Sequence, residues 1–389
     1  MSNLLDRRRV LLGAGAMLAA GALPGCVTLG DRRAASLARL QPLRLSMDRI
    51  TGVTVCSRPF RAAGPRLELE RIGQQSVIHH YGHGGSGWSL SWGSGALAAQ
   101  MALATGERDI AVIGCGAIGL TTAVQLQRMG ARQVTIYARE LPPEVLSSFA
   151  TGVWSPASRI GMEPALTPEF RQRWQTMTRQ SWRIYNTLLS LPGNPVEYVE
   201  TYNLSDSPPK ERTRGPRSDG KPEFAELEKA LVPEIGVKSV DVDRSSTPFK
   251  ARYVQRSARL MFNLPAYSRM LLGDFRANGG RIVIDEFRSP AEFARIAQKT
   301  LVNCTGYGAR ALLGDESIIP VRGQLTHVMP QPEAFYGVNY HRVGLTPRRD
   351  GFVLQQQGED DYYGYGDSSR EPDMAVAEAT LKTIAGAFA

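Results

Sequence analysis

A glycine-rich run at residues 77–93, VIHHYGHGGSGWSLSWG, restricts the folds open to this chain more than any other stretch. Helices and ordinary strands disfavour so many glycines, so the run predicts a bare loop whose backbone N–H groups come close to a ligand. The glycines that can take a positive φ are Gly82, Gly84, Gly85 and Gly87. A flexible linker is the alternative, but linkers seldom carry residues such as Tyr81, Trp88 and Trp92.

Length and charge describe a globular protein of two lobes or two domains. The chain has 389 residues, 42% of them hydrophobic and 21% charged, with a net charge of +9. Outside residues 7–9 the basic excess is scattered, without a dense basic helix, so nucleic acid is disfavoured as a partner. Electrostatic attraction of anionic substrates explains the basic excess equally well. The cysteines form no CxxC pair and no metal-spaced cluster with histidine, so no metal site is predicted.

Residues 1–26 are predicted to be an export signal. Three arginines at 7–9 precede an apolar run at 10–23, which is too short to span a membrane as a mature helix. The paired arginines resemble a twin-arginine signal, although Asp6 and Val10 depart from the usual residues. The chain is therefore expected in the periplasm or at an extracytoplasmic membrane surface.

The end of this segment, Leu-Pro-Gly-Cys, resembles a lipobox in which Cys26 would be lipidated and tether the protein to a membrane. A plain cleavage site near Ala22 and an uncleaved anchor are the alternatives. The polar residues 27–50 are predicted to be a tether.

Residues 51–76 form the first expected ordered segment. The alternation in 51–56 predicts a strand, and the prolines and glycine of 57–66 predict a loop. That loop carries three arginines, and an arginine on a rigid loop suits bidentate capture of a carboxylate or phosphate. The alternative, given equal weight, is that all three arginines of this loop are solvated surface charges. Residues 95–104 are predicted to be a helix.

A dinucleotide-binding pattern follows. Residues 109–113 are a short apolar strand, GCGAIG follows at once, a helical pattern comes next, and 133–137 is a second strand. This strand–turn–helix–strand context predicts that phosphates lie at the helix N-terminus. Glu140 is the candidate for the ribose hydroxyls, and Arg139 could instead contact a phosphate. A structural glycine turn is the alternative. The motif residues are Gly114, Cys115, Gly116, Ala117, Ile118 and Gly119.

Five segments together resemble the D-amino-acid oxidase family of flavoproteins. They are IAVIGCGAIGLTTAVQLQ, SSFATGVWSP at 147–156, LVNCTGYGARAL at 301–312 with VRGQL at 321–325, YGHGGSGWSLSWG, and SRPFRAAGPRLE at 57–68. The resemblance covers roughly residues 50–389. It implies an α/β fold, with a Rossmann-type FAD-binding domain and a mixed, mainly antiparallel substrate-binding sheet domain.

The resemblance also implies FAD as cofactor, with a D-amino acid and oxygen as partners. Arg58 would hold the substrate carboxylate, and the backbone at Gly85 or Ser86 would meet the amino group. The products would be a 2-oxo acid, ammonia and hydrogen peroxide. Besides the dinucleotide motif, the residues implied to contact FAD are Gly84, Gly85, Gly87, Trp88, Ser89, Ser147, Thr151, Gly152, Val153 and Thr305.

Three other functions stay open on the sequence. They are oxidation of glycine or an N-substituted amino acid on the same fold, an NAD(P)-dependent Rossmann enzyme, and a catalytically silent binding protein. The oligomeric state is also open, with a homodimer as one expectation.

The order of the motifs departs from the family. The arginine segment and the glycine-rich run lie near the C-terminus in the family, but here both precede the dinucleotide motif. The final residues, 375–389, resemble the family helix just upstream of the arginine segment. A circular permutation that keeps the fold is therefore expected. Domain swapping and a non-functional relic are the alternatives.

This order predicts a layout in which both lobes are assembled from separate segments. An FAD-binding domain spans 77–160 and returns at 295–330; a substrate or cap domain spans 161–294, with a polar insert at 203–250, and continues at 331–389. Helices are predicted at 168–191 and 263–277, strands at 281–284 and 299–304, and a hairpin at 344–354.

Tyrosines are a further substrate-site feature implied by the resemblance. Tyr336 and Tyr340 precede the hairpin and are the candidates to cover the pocket or touch the carboxylate. Tyr362, Tyr363 and Tyr365 compete with them. A buried structural role is the alternative for all five.

Overall fold

Two β-sheets organise the part of the chain that the computed structural model describes, residues 40–208 and 217–388. The predicted export signal, with Cys26, and part of the polar insert lie outside the described residues. Within the described ranges no helix is long and apolar enough to cross a membrane.

The smaller sheet is the nucleotide-binding type that the dinucleotide motif predicts. Its strands lie in the order β2-β3-β10-β4-β5-β9, and all neighbours are parallel except β2 and β3. Parallel strands covered on both faces are expected to be apolar throughout, and β3 is buried along its whole length. The strands are β2 (Arg66–Ile72), β3 (Gln75–Tyr81), β4 (Asp109–Ile113), β5 (Gln133–Ala138), β9 (Arg281–Ile284) and β10 (Thr300–Asn303).

The larger sheet is mixed and mainly antiparallel. Its order is β1-β11-β14-β13-β12-β6-β8-β7, with one parallel pair, β12 and β6. The strands are β1 (Ile50–Phe60), β6 (Val196–Ser205), β7 (Ser239–Val242), β8 (Tyr253–Phe262), β11 (Ile319–Val328), β12 (Gly337–Tyr340), β13 (Val343–Arg348) and β14 (Gly351–Gln356). Together the two sheets confirm the predicted α/β fold class, and β13 with β14 forms the predicted hairpin.

Most of the helices cover the smaller sheet, and α7 packs across several strands of the larger one. They are α1 (Gly87–Ala104), α2 (Ala117–Arg128), α3 (Pro168–Thr187), α4 (Glu228–Leu231), α5 (Leu264–Ala277), α6 (Ala309–Leu313) and α7 (Met374–Ala385). Helix α3 begins at Thr167, whose hydroxyl accepts the N–H of Phe170, and helix α5 begins at Asn263 in the same way. The largest apolar cluster joins α1, α2, α3 and α5 to the smaller sheet.

The glycine-rich run is not one loop, and this part of the sequence prediction was wrong. Residues 77–81 belong to β3, only 82–86 form a loop, and α1 starts at Gly87 rather than at residue 95. The reason is close helix packing: a Cβ on Gly93 would lie 2.2 Å from the carbonyl oxygen of Met177 in α3. Here glycine permits contact between helices instead of backbone flexibility.

The arginine loop was also extended too far. Strand β1 continues to Phe60, so Arg58 lies on a strand, and Arg66 already belongs to β2. Continuous antiparallel pairing of β1 with β11 from Gly52 to Phe60, including Arg58 opposite Val321, holds this segment in the sheet. The polar insert was likewise too long, because it includes the end of β6, all of α4 and β7.

The two ends of the described chain meet in one apolar cluster. Leu43 is buried there together with Leu381 and Ile384 of α7 and with Phe388. Leu40 and Leu45 pack against the same cluster. The N-terminal and C-terminal segments are therefore neighbours in space.

The packing of α1 against α3 yields a test. Gly93→Ala should lower the free energy of unfolding by roughly 1–3 kcal/mol, because the added methyl group must displace the α3 backbone. Gly273→Ala is the matched control: a Cβ on this α5 residue meets nothing within 4 Å. It should raise stability by about 0.5–1 kcal/mol through helix propensity. Urea unfolding followed by circular dichroism measures both, and equal effects would contradict the packing argument.

Candidate active site

A cleft with a volume of about 1210 Å³ lies where the loops after β3, β4, β5 and β10 face the larger sheet. Parallel α/β sheets bind ligands at the carboxyl ends of their strands, which is where these loops begin. Small-molecule pockets usually measure roughly 300–1,000 Å³, so this cleft has room for a dinucleotide together with a second small molecule.

The turn after β4 has the geometry that a bound pyrophosphate needs. Gly114 has a φ of +105°, and a Cβ there would lie 2.6 Å from the carbonyl oxygen of Cys304. A Cβ on Gly119 would lie 2.0 Å from the carbonyl oxygen of Gly114, so this third glycine lets α2 pack against the turn. Gly114, Cys115, Gly116, Ala117 and Ile118 line the cleft, whereas Gly119 does not.

The N-terminus of α2 points its peptide dipoles into this turn, which favours a phosphate. Ser147 supports the turn from the next loop, because its Oγ accepts the N–H of Ala117 at 3.0 Å. Ser147 also lines the cleft and accepts, through its carbonyl oxygen, the indole N–H of Trp88 at 2.8 Å.

The end of β5 presents both predicted charged residues to the cleft. Arg139 contacts Glu140 at 3.0 Å and Glu286 at 2.9 Å. Hydrogen bonds lower the pKa of Glu286; the one from Arg139 has the largest effect, and the one from Arg288 comes second. The carboxylate of Glu140 is partly exposed and lies at the edge where the ribose of a dinucleotide would lie.

The five residues 82–86, here called the glycine loop, approach a second loop at van der Waals distance. Gly84 has a φ of +54°, and a Cβ on it would lie 1.9 Å from the carbonyl oxygen of Arg159. The N–H of Gly85 and the hydroxyl of Ser86 both donate to the carbonyl oxygen of Ser158, at 2.9 and 3.0 Å. Only glycine fits at this contact.

The structure does not bring every predicted cofactor or substrate residue to the cleft. Gly84, Gly85, Gly87, Trp88, Thr151, Val153 and Thr305 line it. Ser86 does not, because its hydroxyl is directed at Ser158, and Ser89 accepts the N–H of Ser155 instead. Gly152 provides a tight turn, with a φ of +85° and its Cα close to Phe262.

His83 lines the cleft as a neutral side chain. Its Nε2 lies 3.1 Å from the hydroxyl of Ser94, and its Nδ1 is buried without a hydrogen-bond partner among the described residues. Burial lowers its pKa to about 3, so it carries no charge at neutral pH. This buried nitrogen of the glycine loop has no protein partner in the described part of the chain and could therefore bind a polar ligand. In this respect the residues present fit a bound flavin nucleotide.

Arg58 lies half-buried on the opposite wall of the cleft. Its Nη1 donates to the carbonyl oxygen of Arg322 at 3.3 Å. A Cβ on Gly323 would lie 2.7 Å from both terminal nitrogens, so the glycine makes room for the guanidinium group. Within the described ranges Arg58 forms no ion pair with a carboxylate, which leaves its charge available to an anionic ligand.

Tyr336 and Tyr340 are not in the cleft. The hydroxyl of Tyr336 donates to the carbonyl oxygen of Gln41 at 2.6 Å, in the apolar cluster where the chain ends meet. The hydroxyl of Tyr340 donates to Asp206 at 3.1 Å near the surface. Of the five candidate tyrosines, the one that lines the cleft is Tyr363, one of the three competitors.

Several polar residues of the cleft carry no sequence signal. They come from separate strands and loops that only the sheet pairing brings together, so no local motif could have identified them. They are Arg159, Arg259, Asn339, Thr346 and Gln355.

Fold and site together define a nucleotide-binding oxidoreductase, and comparison with known proteins identifies its class. The chain belongs to the FAD dependent oxidoreductase family (DAO), whose model matches residues 109–388. FAD is accordingly its cofactor.

Two relatives have similar sequences along most of their length. The D-amino-acid oxidase of Rubrobacter xylanophilus is 30% identical over 275 residues, which are 70% of this chain and 74% of the relative. The D-amino-acid oxidase of Streptomyces coelicolor is 29% identical over 291 residues, covering 72% and 78%. Among solved structures, iminodiacetate oxidase from Chelativorans sp. BNC1 is 17% identical, with a TM-score of 0.47 over 71% of this chain and 79% of that one.

The position of Glu140 yields a test of cofactor binding. Glu140→Gln should weaken FAD binding at least about tenfold, because a hydrogen bond to a charged group is worth about 1.5–3 kcal/mol. Glu378→Gln on α7, outside the cleft, is the control. Titration of the apoprotein with FAD, followed by quenching of flavin fluorescence, measures both. Equal dissociation constants for both variants and the unmodified protein would remove Glu140 from the cofactor site.

Proposed function

We propose that this protein oxidises D-amino acids to 2-oxo acids, with release of ammonia and hydrogen peroxide. The observation that carries the proposal is Arg58: a half-buried guanidinium group without a carboxylate partner in the described residues, in the same cleft as the FAD-binding turn. The names of the two oxidase relatives support the same activity.

Arg58 would bind the α-carboxylate through two parallel N–H donors, which fixes both the position and the direction of the amino acid. Positioning of this kind supplies much of the rate, because the Cα–H bond must point at its acceptor. Bound FAD supplies that hydride acceptor. Gly85 lines the same cleft as Arg58, and its backbone would meet the substrate amino group.

The cleft also has apolar wall residues that exclude water around the reacting carbon, among them Val55, Trp88 and Leu325. The mechanism asks for no charged general base from the chain, and the neutral His83 is consistent with this. The imine product is hydrolysed by water after it leaves the cleft. Oxygen is the electron acceptor in this proposal. Glycine or an N-substituted amino acid would use the same contact with Arg58, and a substrate panel separates these from D-amino acids.

We also propose that the chain is a circular permutation of the family order. In the smaller sheet, β3 and the glycine loop lie beside β10 although they precede β4 in sequence. The family model begins to match only at residue 109. The meeting of the chain ends in one cluster supports the proposal, since the new ends of a permuted chain lie where the parent chain was continuous.

Export through the predicted twin-arginine signal is part of the same proposal. That route carries folded proteins, so FAD would be bound before export. Cell fractionation of the full chain against a variant with Arg7 and Arg8 replaced by Lys tests the export proposal. Unchanged recovery outside the cytoplasm would contradict it.

The role of Arg58 is tested by a kinetic comparison. Arg58→Ala should raise KM for a D-amino acid by about 100-fold or more, because a buried charge–carboxylate contact is lost. FAD should stay bound, since Arg58 lies on the larger sheet and not in the dinucleotide turn. Arg58→Lys should recover only part of the loss, because an ammonium group cannot pair with both oxygens. Unchanged kinetics in Arg58→Ala would remove Arg58 from the substrate site.

A further inference from the structure

The substrate end of the cleft carries more positive charge than one α-carboxylate requires. Arg58 and Arg159 both line it, with Arg259 on the wall formed by β8. Burial has the largest effect on Arg159 and the nearby charge of Arg58 the second; together they lower the pKa of Arg159 to about 10, so this guanidinium group remains charged at neutral pH. Two like charges held in one partly buried site are unfavourable unless an anion compensates them.

Arg159 is held in place by its backbone and one hydrogen bond. It has a φ of +47°, rare for a residue with a side chain, and its carbonyl oxygen faces the Cα of Gly84. Its Nε donates to the carbonyl oxygen of Asp361 at 2.9 Å. Only 12% of the side chain is exposed. Strained residues held in this way cluster at binding sites.

Two carboxylates, Asp361 and Asp360, oppose the fall in the pKa of Arg159, and Asp360 is paired with Arg217. The carboxylate that contacts Arg159 directly is a weak partner. Asp361 approaches Nη2 at 3.5 Å, and half of its side chain is exposed to solvent. Nη1 of Arg159 forms no hydrogen bond to the residues that the structure describes. A ligand carboxylate could therefore take up this side of the guanidinium group while the backbone contact to Asp361 remains.

We propose that Arg159 binds a second carboxylate on the substrate, so that the preferred substrates are acidic D-amino acids. This inference rests on the proposed oxidation of D-amino acids, and it names the substrate class of that same cleft. Arg58 holds the α-carboxylate and Arg159 holds the side-chain carboxylate. Asp361 occupies Arg159 when no acidic substrate is bound and competes with it.

Arg259 is a second source of positive charge for the same ligand. Its Nε is buried without a partner among the described residues, and burial lowers its pKa despite the opposing charge of Glu228. Arg259 is the weaker candidate to bind the second carboxylate, because Glu228 already compensates part of its charge.

The test compares D-glutamate with D-glutamine, which have the same shape and differ in the side-chain charge. In Arg159→Gln the ratio of kcat/KM for D-glutamate to that for D-glutamine should fall about 100-fold, since one partner of a close charge pair is lost. In Asp361→Asn the KM for D-glutamate should fall about two- to fivefold, because a partly exposed competitor is removed. D-glutamine should respond little to either change. Opposite effects of the two variants are not expected from a merely structural contact.

Arg252→Gln is the matched control, because Arg252 is exposed and lies outside the cleft. The absorption spectrum of bound flavin verifies folding of each variant. Binding of glutarate and butyrate, followed by the shift of the flavin spectrum, gives a second readout that needs no turnover. Glutarate should lose affinity in Arg159→Gln, while butyrate keeps it.

Three outcomes would overturn the inference. An equal loss for D-glutamate and D-glutamine in Arg159→Gln would assign Arg159 to the α-carboxylate. A preference of the unmodified enzyme for D-glutamine over both D-glutamate and D-aspartate would contradict the acidic subsite. The proposed oxidation of D-amino acids would still stand. Failure of every D-amino acid to reduce the flavin would remove the proposed function, and this inference with it.

Discussion

The close approach of two backbones, Gly84–Gly85 and Ser158–Arg159, is the contact on which the cleft depends. A side chain on Gly84 would come within 1.9 Å of the carbonyl oxygen of Arg159, and the N–H of Gly85 is bonded to Ser158. The first pair of residues follows β3 of the nucleotide sheet, and the second lies in the loop that precedes α3. The contact therefore fixes the position of Arg159 relative to the glycine loop.

The same contact links cofactor and substrate chemistry. Gly85 and Arg159 both line the cleft, and Arg58 reaches it from β1 of the larger sheet. Each sheet thus supplies one side of the cleft: the smaller sheet provides the carboxyl ends of its strands, where we propose that the nucleotide binds, and the larger one carries Arg58, which we propose binds the substrate. Rigid strands and a tight turn position these groups more accurately than mobile loops would.

The sequence predicted the parts of the fold that depend on local spacing. The unit from β4 through α2 to β5 was predicted because glycines, strand and helix follow one another within 30 residues. The glycine-rich run was partly wrong, because the residues that permit a flexible loop also permit helices to pack closely, as Gly93 does against α3. Arg159 and Arg259 could not be predicted, since only the long-range packing of the chain brings them to the cleft. Tyr363 was one of five candidate tyrosines, and nothing local separates it from the other four. The prediction that Tyr336 covers the substrate pocket was wrong, because nothing in the local sequence shows that this residue packs against the chain ends.

The most direct measurement is anaerobic reduction of the bound flavin. The protein without residues 1–26 is purified, its absorption spectrum is recorded, and a D-amino acid or its L form is added under nitrogen. The account predicts a yellow protein whose flavin bands bleach with the D form and stay unchanged with the L form. Bleaching by neither enantiomer of any amino acid in the panel would contradict it.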